Sequence, residues 1–165
     1  MPTSTYDSIL SFTLGSATTT VTIGSGGNGS IPSTYTDLVL VIDGFLNSGT
    51  GSCFMKFNSS SGSEYSYQRI LTTGTAWANG NGTLTTAGIL FSDLSSSKFA
   101  VTVNIFDYAN TSTNTTILSH QYQDYMGQYV GRWNNQSVIN SITLIGHANF
   151  QVGTTFNLYG IKAGS

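Results

Sequence analysis

Lys98-Phe-Ala-Val-Thr-Val-Asn-Ile-Phe-Asp-Tyr108 is the stretch on which the fold turns. Phe99, Val101, Val103 and Ile105 recur at every second position against Ala100, Thr102 and Asn104, which is the period of a strand with one buried face. The same period extends outward along the chain. Ala17, Thr19, Val21 and Ile23 stand against Thr18, Thr20 and Thr22, while Cys53, Met55 and Phe57 stand against Phe54. Tyr65, Tyr67, Arg69 and Leu71 alternate with Ser66, Gln68 and Ile70. Asp37–Phe45 is continuously apolar inside, and reads as a central strand covered on both faces. Ser8–Leu14, Gly88–Phe91, Thr115–Gln123, Tyr125–Trp133, Ser137–His147 and Thr154–Lys162 are further strands. Between the runs lie Gly/Ser/Asn clusters such as 24–30, where the chain turns. Thr72–Thr86 is the least patterned stretch, a long loop holding Trp77.

Proline occurs only at positions 2 and 32, and no helix-period pattern survives for three turns. Roughly nine or ten strands with frequent turn signals predict an all-β fold. The expectation is one antiparallel β-sandwich over residues 1–165, jelly-roll-like, with 1–7 as an extended N-terminal arm. Its Pro2, Thr3 and Tyr6 are candidate contacts to a neighbouring subunit.

Composition narrows the function. Only 7% of the 165 residues are charged, whereas Ser, Thr, Asn and Gly together make 79. The surface is therefore built from hydroxyls, amides and backbone. A 39% hydrophobic content fills one core and excludes a disordered tail. Lys56, Arg69, Lys98, Arg132 and Lys162 are scattered, so no basic patch points to nucleic acid. The run Leu38–Ile42 is far short of a membrane span, and the N-terminus lacks the features of an export signal. With Cys53 alone, no intrachain disulfide forms.

Catalytic chemistry finds no anchor. His120 and His147 begin no metal-ligand spacing, and no carboxylate lies near either in sequence. Asp37, Asp43, Asp93 and Asp107 fall at strand ends or turns, where Asp bonds local backbone. No Gly-x-Ser-x-Gly elbow is present. The expectation is a protein that is not an enzyme and needs no cofactor or metal. The aromatics offer another chemistry. Trp77 and Trp133, with Tyr122, Tyr125 and Tyr129, either stack on sugar rings or pack a core or subunit interface. Trp77 in its loop is the better ligand candidate, and Trp133 beside Gly131 and Arg132 the better interface candidate.

Several stretches together carry a resemblance. They are Tyr6-Asp-Ser-Ile9, Ile31-Pro-Ser-Thr-Tyr-Thr-Asp-Leu-Val-Leu40, Phe57-Asn58 and Tyr65-Ser-Tyr67. Later in the chain come Gly131-Arg-Trp133, Ile139-Asn-Ser-Ile-Thr-Leu144 and Thr155-Phe-Asn-Leu-Tyr-Gly-Ile-Lys162. In these the chain resembles small all-β virion structural proteins of tailed bacteriophages, of the head decoration, cement or tail-fibre type. The resemblance implies a shared fold and no enzymatic activity. It implies a place in the virion, assembled in the host cytoplasm, with the major capsid protein or other virion proteins as partners and a homotrimer as the oligomer. The leading expectation is a decoration or cement subunit that stabilises the head shell through non-covalent contacts. The alternative is a tail-fibre or receptor-binding tip that recognises host-surface glycan.

Overall fold

The computed structural model describes residues 5–73, 76–85, 87–124 and 126–162. Twelve strands follow one another: β1 (Tyr6–Thr13), β2 (Thr18–Gly24), β3 (Asp37–Gly44), β4 (Thr50–Phe57), β5 (Tyr65–Thr73) and β6 (Ala76–Thr85). The second half holds β7 (Ile89–Ser95), β8 (Phe99–Phe106), β9 (Thr115–Tyr122), β10 (Met126–Trp133), β11 (Ser141–Phe150) and β12 (Thr155–Ile161). They form two antiparallel sheets packed as a sandwich, ordered β1-β12-β3-β8-β9-β10-β5-β6 and β2-β11-β4-β7. No helix occurs among the described residues.

Removing four strands exposes the logic of the topology. Without β5, β6, β9 and β10 the two orders are β1-β12-β3-β8 and β2-β11-β4-β7. These are the interleaved four-stranded sheets of a jelly roll. The hairpin β5–β6 is an excursion between β4 and β7, and β9–β10 is one between β8 and β11. The two excursions pair with each other through β10 and β5, and continue the first sheet beyond β8. β7 lies beneath this extension, and all seven of its residues are buried.

Alternation decides what fills the core. On β8, Phe99, Val101, Val103 and Ile105 are buried, and they lie in register beside Leu38, Leu40 and Ile42 of β3. Phe156 and Leu158 of β12 continue the same rows. Val21, Ile23, Met55, Phe57, Ile142 and Leu144 meet them from the second sheet. Burying each large apolar side chain contributes about 1.5–3 kcal/mol. Aromatic contacts lock the layers, with Phe150 edge-on to Phe156 at 5.8 Å and Phe57 5.5 Å from Trp133.

The stretches that carry the resemblance meet in space as packing and turn elements. Tyr35 lies against Gly160, where a Cβ would stand 2.3 Å from its ring, and the Thr36 N–H donates to the Ile161 carbonyl. Asn58, at φ 51°, accepts the backbone N–H of Asn140 and donates to the Val138 carbonyl.

Three expectations are corrected. Within the stretch read as a long loop at 72–86, the described residues are strand: β5 runs through Thr73, and β6 occupies Ala76–Thr85. Its period is hidden because the inward positions are Ala78, Gly80 and Gly82. A Cβ at Gly82 would stand 2.5 Å from the Tyr67 ring, and one at Gly80 would stand 2.8 Å from Arg69 Nε. Twelve strands therefore replace the nine or ten expected. Tyr6 and Asp7, read as part of an N-terminal arm, belong to β1 instead: they pair with Ile161 and Gly160, and Asp7 forms an ion pair with Lys162 at 2.9 Å. Pro2 and Thr3 lie outside the described residues. Finally, β3 is fully covered on its core face only: Leu38, Leu40 and Ile42 are fully buried, while on the outward face Val39 is buried and Val41 half-buried.

Candidate functional site

The extension β9-β10-β5-β6 has two faces of different character. The inner one carries a polar cluster. Arg69 forms an ion pair with Asp93, and Ser52 Oγ donates to Asp93 Oδ1 at 2.7 Å. The Asp93 backbone N–H is shared between Tyr129 Oη and Gln121 Oε1, both at 2.9 Å. Tyr129 in turn donates to Gln121 Oε1 at 2.8 Å, and Ser92 Oγ donates to the same oxygen at 2.7 Å. Burial first, and then the Asp93 charge, push the Tyr129 phenol well above its ordinary range. The Gln121 amide nitrogen is buried without a protein partner. Strands β5, β9 and β10 of the extension meet β4 and β7 here, so the cluster clamps the extension to the second sheet. Breaking the Arg69–Asp93 pair would leave a poorly solvated charge.

Further along the inner face, Trp133 is buried against Phe57, and its indole N–H donates to Glu64 Oε2 at 2.9 Å. Trp133 and Tyr129 thus belong to the interior of the chain. Strand β10 alternates strictly, with Gly127, Tyr129, Gly131 and Trp133 inward. Neither ring is available to a sugar or a neighbouring subunit, so the packed-core reading holds for both, and the expectation of Trp133 as an interface contact is corrected. Tyr125 lies outside the described residues. Trp77 remains a surface candidate, 75% exposed, although it stands on a strand rather than in a loop. Tyr122 is exposed as well.

The outer face collects side chains from all four strands. Register sets His120, Gln128, Ile70 and Asn79 side by side in one row, and Leu118, Val130, Gln68 and Asn81 in the next. Toward one end, Tyr122 neighbours Met126 and Trp77 neighbours Thr72; toward the other, Arg132 lies between Thr116 and Ser66. Nine large hydrophobic side chains are exposed among the described residues, and five of them (Ile70, Trp77, Tyr122, Met126, Val130) lie on this face. Such gathering marks a contact surface, because scattered exposed hydrophobics need no explanation and clustered ones do.

The face is hollowed as well as apolar. A cavity of about 410 Å³ is flanked by Trp77, Tyr122 and Met126, and one of about 420 Å³ by Gln68, Asn79, Asn81 and Gln128. The two share Ile70 and Gln128. A third, of about 250 Å³, shares Gln68, Asn81 and Val130 with the second and reaches Arg132. The three form one trough along the strands. From Met126 to Arg132 it runs about 20 Å at the usual strand rise.

The chemistry on offer is recognition. Amide side chains present paired donors and acceptors, the arrangement that vicinal hydroxyls satisfy. The rings of Trp77 and Tyr122 present flat apolar surface beside them. Among the described residues, no group of three His, Cys, Asp or Glu side chains converges as a metal site would. Sequence reading found Trp77 and Tyr122. It missed Ile70, Met126, Val130 and the four amides, because alternation alone does not say which set of a strand faces water.

No family model, curated protein or solved structure matches the chain.

Proposed function

We propose that the protein is a non-enzymatic recognition module that binds glycan along the trough on β9-β10-β5-β6. The virion setting comes from the resemblance to phage structural proteins, and within that setting the reading is a receptor-binding or fibre-tip component. One observation carries it: exposed aromatic, aliphatic and amide side chains gather on one hollowed sheet face. Apolar positions on these strands are separated by polar ones, with Ile70 between Gln68 and Thr72, and Val130 between Gln128 and Arg132. The fully buried core of a protein–protein interface is typically more apolar than this face. Sugar rings suit the mixture, since each offers apolar C–H faces and a belt of hydroxyls. Binding to an array of bacterial surface polysaccharides tests the reading. Trp77→Ala is expected to weaken the best binder about tenfold, the measure of one lost aromatic contact. Unchanged affinity, or silence across the array, would overturn it.

The shell-cement role is a second reading, favoured by the edge of β6. That strand ends the eight-stranded sheet and carries neither charge nor proline along its ten residues. Edges of this kind add strands from a partner unless blocked. Quantitative staining of purified particles separates the two, because cement occupies the shell in many copies and a tip component in few.

A further inference from the structure

The trough changes character from end to end. Trp77, Tyr122 and Met126 make one end apolar, Asn79 and Gln128 make the middle an amide surface, and Arg132 closes the other end. Charge is scarce in this protein, so the position of each cation is informative. Three of the five basic side chains are neutralised within the chain: Arg69 by Asp93, Lys98 by Asp43 and Lys162 by Asp7. Among the described residues Arg132, like Lys56 on β4, has no such partner, and no carboxylate projects onto the outward face of these four strands. Its neighbours in register are Thr116 and Ser66, which leave room in the hollow beside it. A guanidinium so placed offers a planar fork of donors that a carboxylate meets with two parallel bonds.

We infer that the ligand is an acidic oligosaccharide lying along the strands, with a neutral ring on Trp77 and Tyr122 and a sugar carboxylate on Arg132. The inference rests on the glycan reading above and adds the charge and the direction of the chain. A trough of about 20 Å holds several rings rather than one. The hydroxyls of the intervening residues meet the amides of Gln68, Asn79, Asn81 and Gln128. A neutral polysaccharide would leave the cation without a partner, and a strongly anionic polymer would find too few cations to follow.

The test uses the full chain and a panel of bacterial polysaccharide fragments. Each acidic fragment is paired with a twin whose carboxyl groups have been reduced to alcohols. The best binders are expected to be acidic, with at least about a tenfold loss in the reduced twin, and affinity is expected to fall between about 50 and about 500 mM NaCl as screening grows. Arg132→Gln should bind the acidic fragment no better than the wild type binds the twin, and Arg132→Lys should recover part of the loss. If acid and twin bind equally and Arg132→Gln changes nothing, the inference fails while glycan recognition stands. If no fragment binds, or Trp77→Ala is without effect on those that do, the underlying reading fails with it. Self-association that rises with protein concentration and vanishes in Trp77→Ala would assign the face to a second copy of the chain, and overturn both.

Discussion

Glu64 gathers donors from three directions: Ser60 Oγ at 2.5 Å, Trp133 Nε1 at 2.9 Å and Asn135 Nδ2 at 3.3 Å. The bond from Ser60 does most to hold its carboxyl below the usual glutamate range; partial burial pulls the other way, and Trp133 and Asn135 add to the lowering. A carboxylate whose folded-state pKa is depressed contributes stability that is complete above its unfolded pKa. That contribution is lost as pH falls through the folded value. Melting temperature is therefore expected to drop as pH descends below the ordinary glutamate range. Glu64→Gln should flatten that part of the profile, and an identical slope in the variant would exclude the linkage. The same residue explains an error of sequence reading. Trp133 looked like a surface ring beside Arg132, yet a polar partner inside the chain lets the indole be buried with its N–H satisfied. Nothing in the order Gly131-Arg-Trp133 announces a carboxylate 69 positions earlier.

At the scale of the element, legibility follows the size of the inward side chains. β8 declares itself along its length, and β4 and β2 do so at Cys53, Met55 and Phe57 and at Val21 and Ile23, where every second residue is apolar and buried as the period demands. β6 is silent because its inward side must stay small, and Gly80 and Gly82 read as turn residues. β10 lies between these cases. Its period is plain, but the choice between Met126, Gln128, Val130 and Arg132 on one face and Gly127, Tyr129, Gly131 and Trp133 on the other is made by what lies opposite. Strand β7 runs directly beneath, and a Cβ at Gly131 would stand 2.0 Å from Ile89 Cγ2 and 3.1 Å from Ile117 Cγ1. Gly131→Ala is expected to destabilise the fold by about 1–3 kcal/mol, the usual cost of overpacking. Gly15 has nothing within 4 Å of the corresponding position, so Gly15→Ala should be close to neutral. Urea midpoints of the two variants make the comparison. Equal shifts would mean that β7 is not packed against β10 as described.

For the molecule as a whole, closure is a long-range matter. β1 finds its partner in β12, and β3 reaches β8 and β12, so the first sheet cannot form until distant parts of the chain meet. Without helices or disulfides among the described residues to shorten the search, folding is expected in the millisecond-to-second range typical of sandwiches. Stopped-flow refolding followed through the buried Trp133 would measure it; completion within microseconds would contradict the topology. The jelly-roll class was readable from strand number and turn spacing. The extension was not, since the pairing of β5 with β10 joins two hairpins through contacts that neither hairpin encodes by itself.

All the outward side chains along the trough belong to those two hairpins, and none to the eight strands of the underlying jelly roll. Side chains there point away from the core, where substitutions typically cost within about 0.5 kcal/mol. On the recognition reading proposed above, folding and specificity fall on opposite faces of the same strands. Random mutagenesis confined to the sixteen outward positions of β9, β10, β5 and β6 should leave most variants folded while altering what they adhere to. If the trough binds as proposed, a lineage selected for a new ligand would find its freedom in those positions and its constraint in the faces that pack the core.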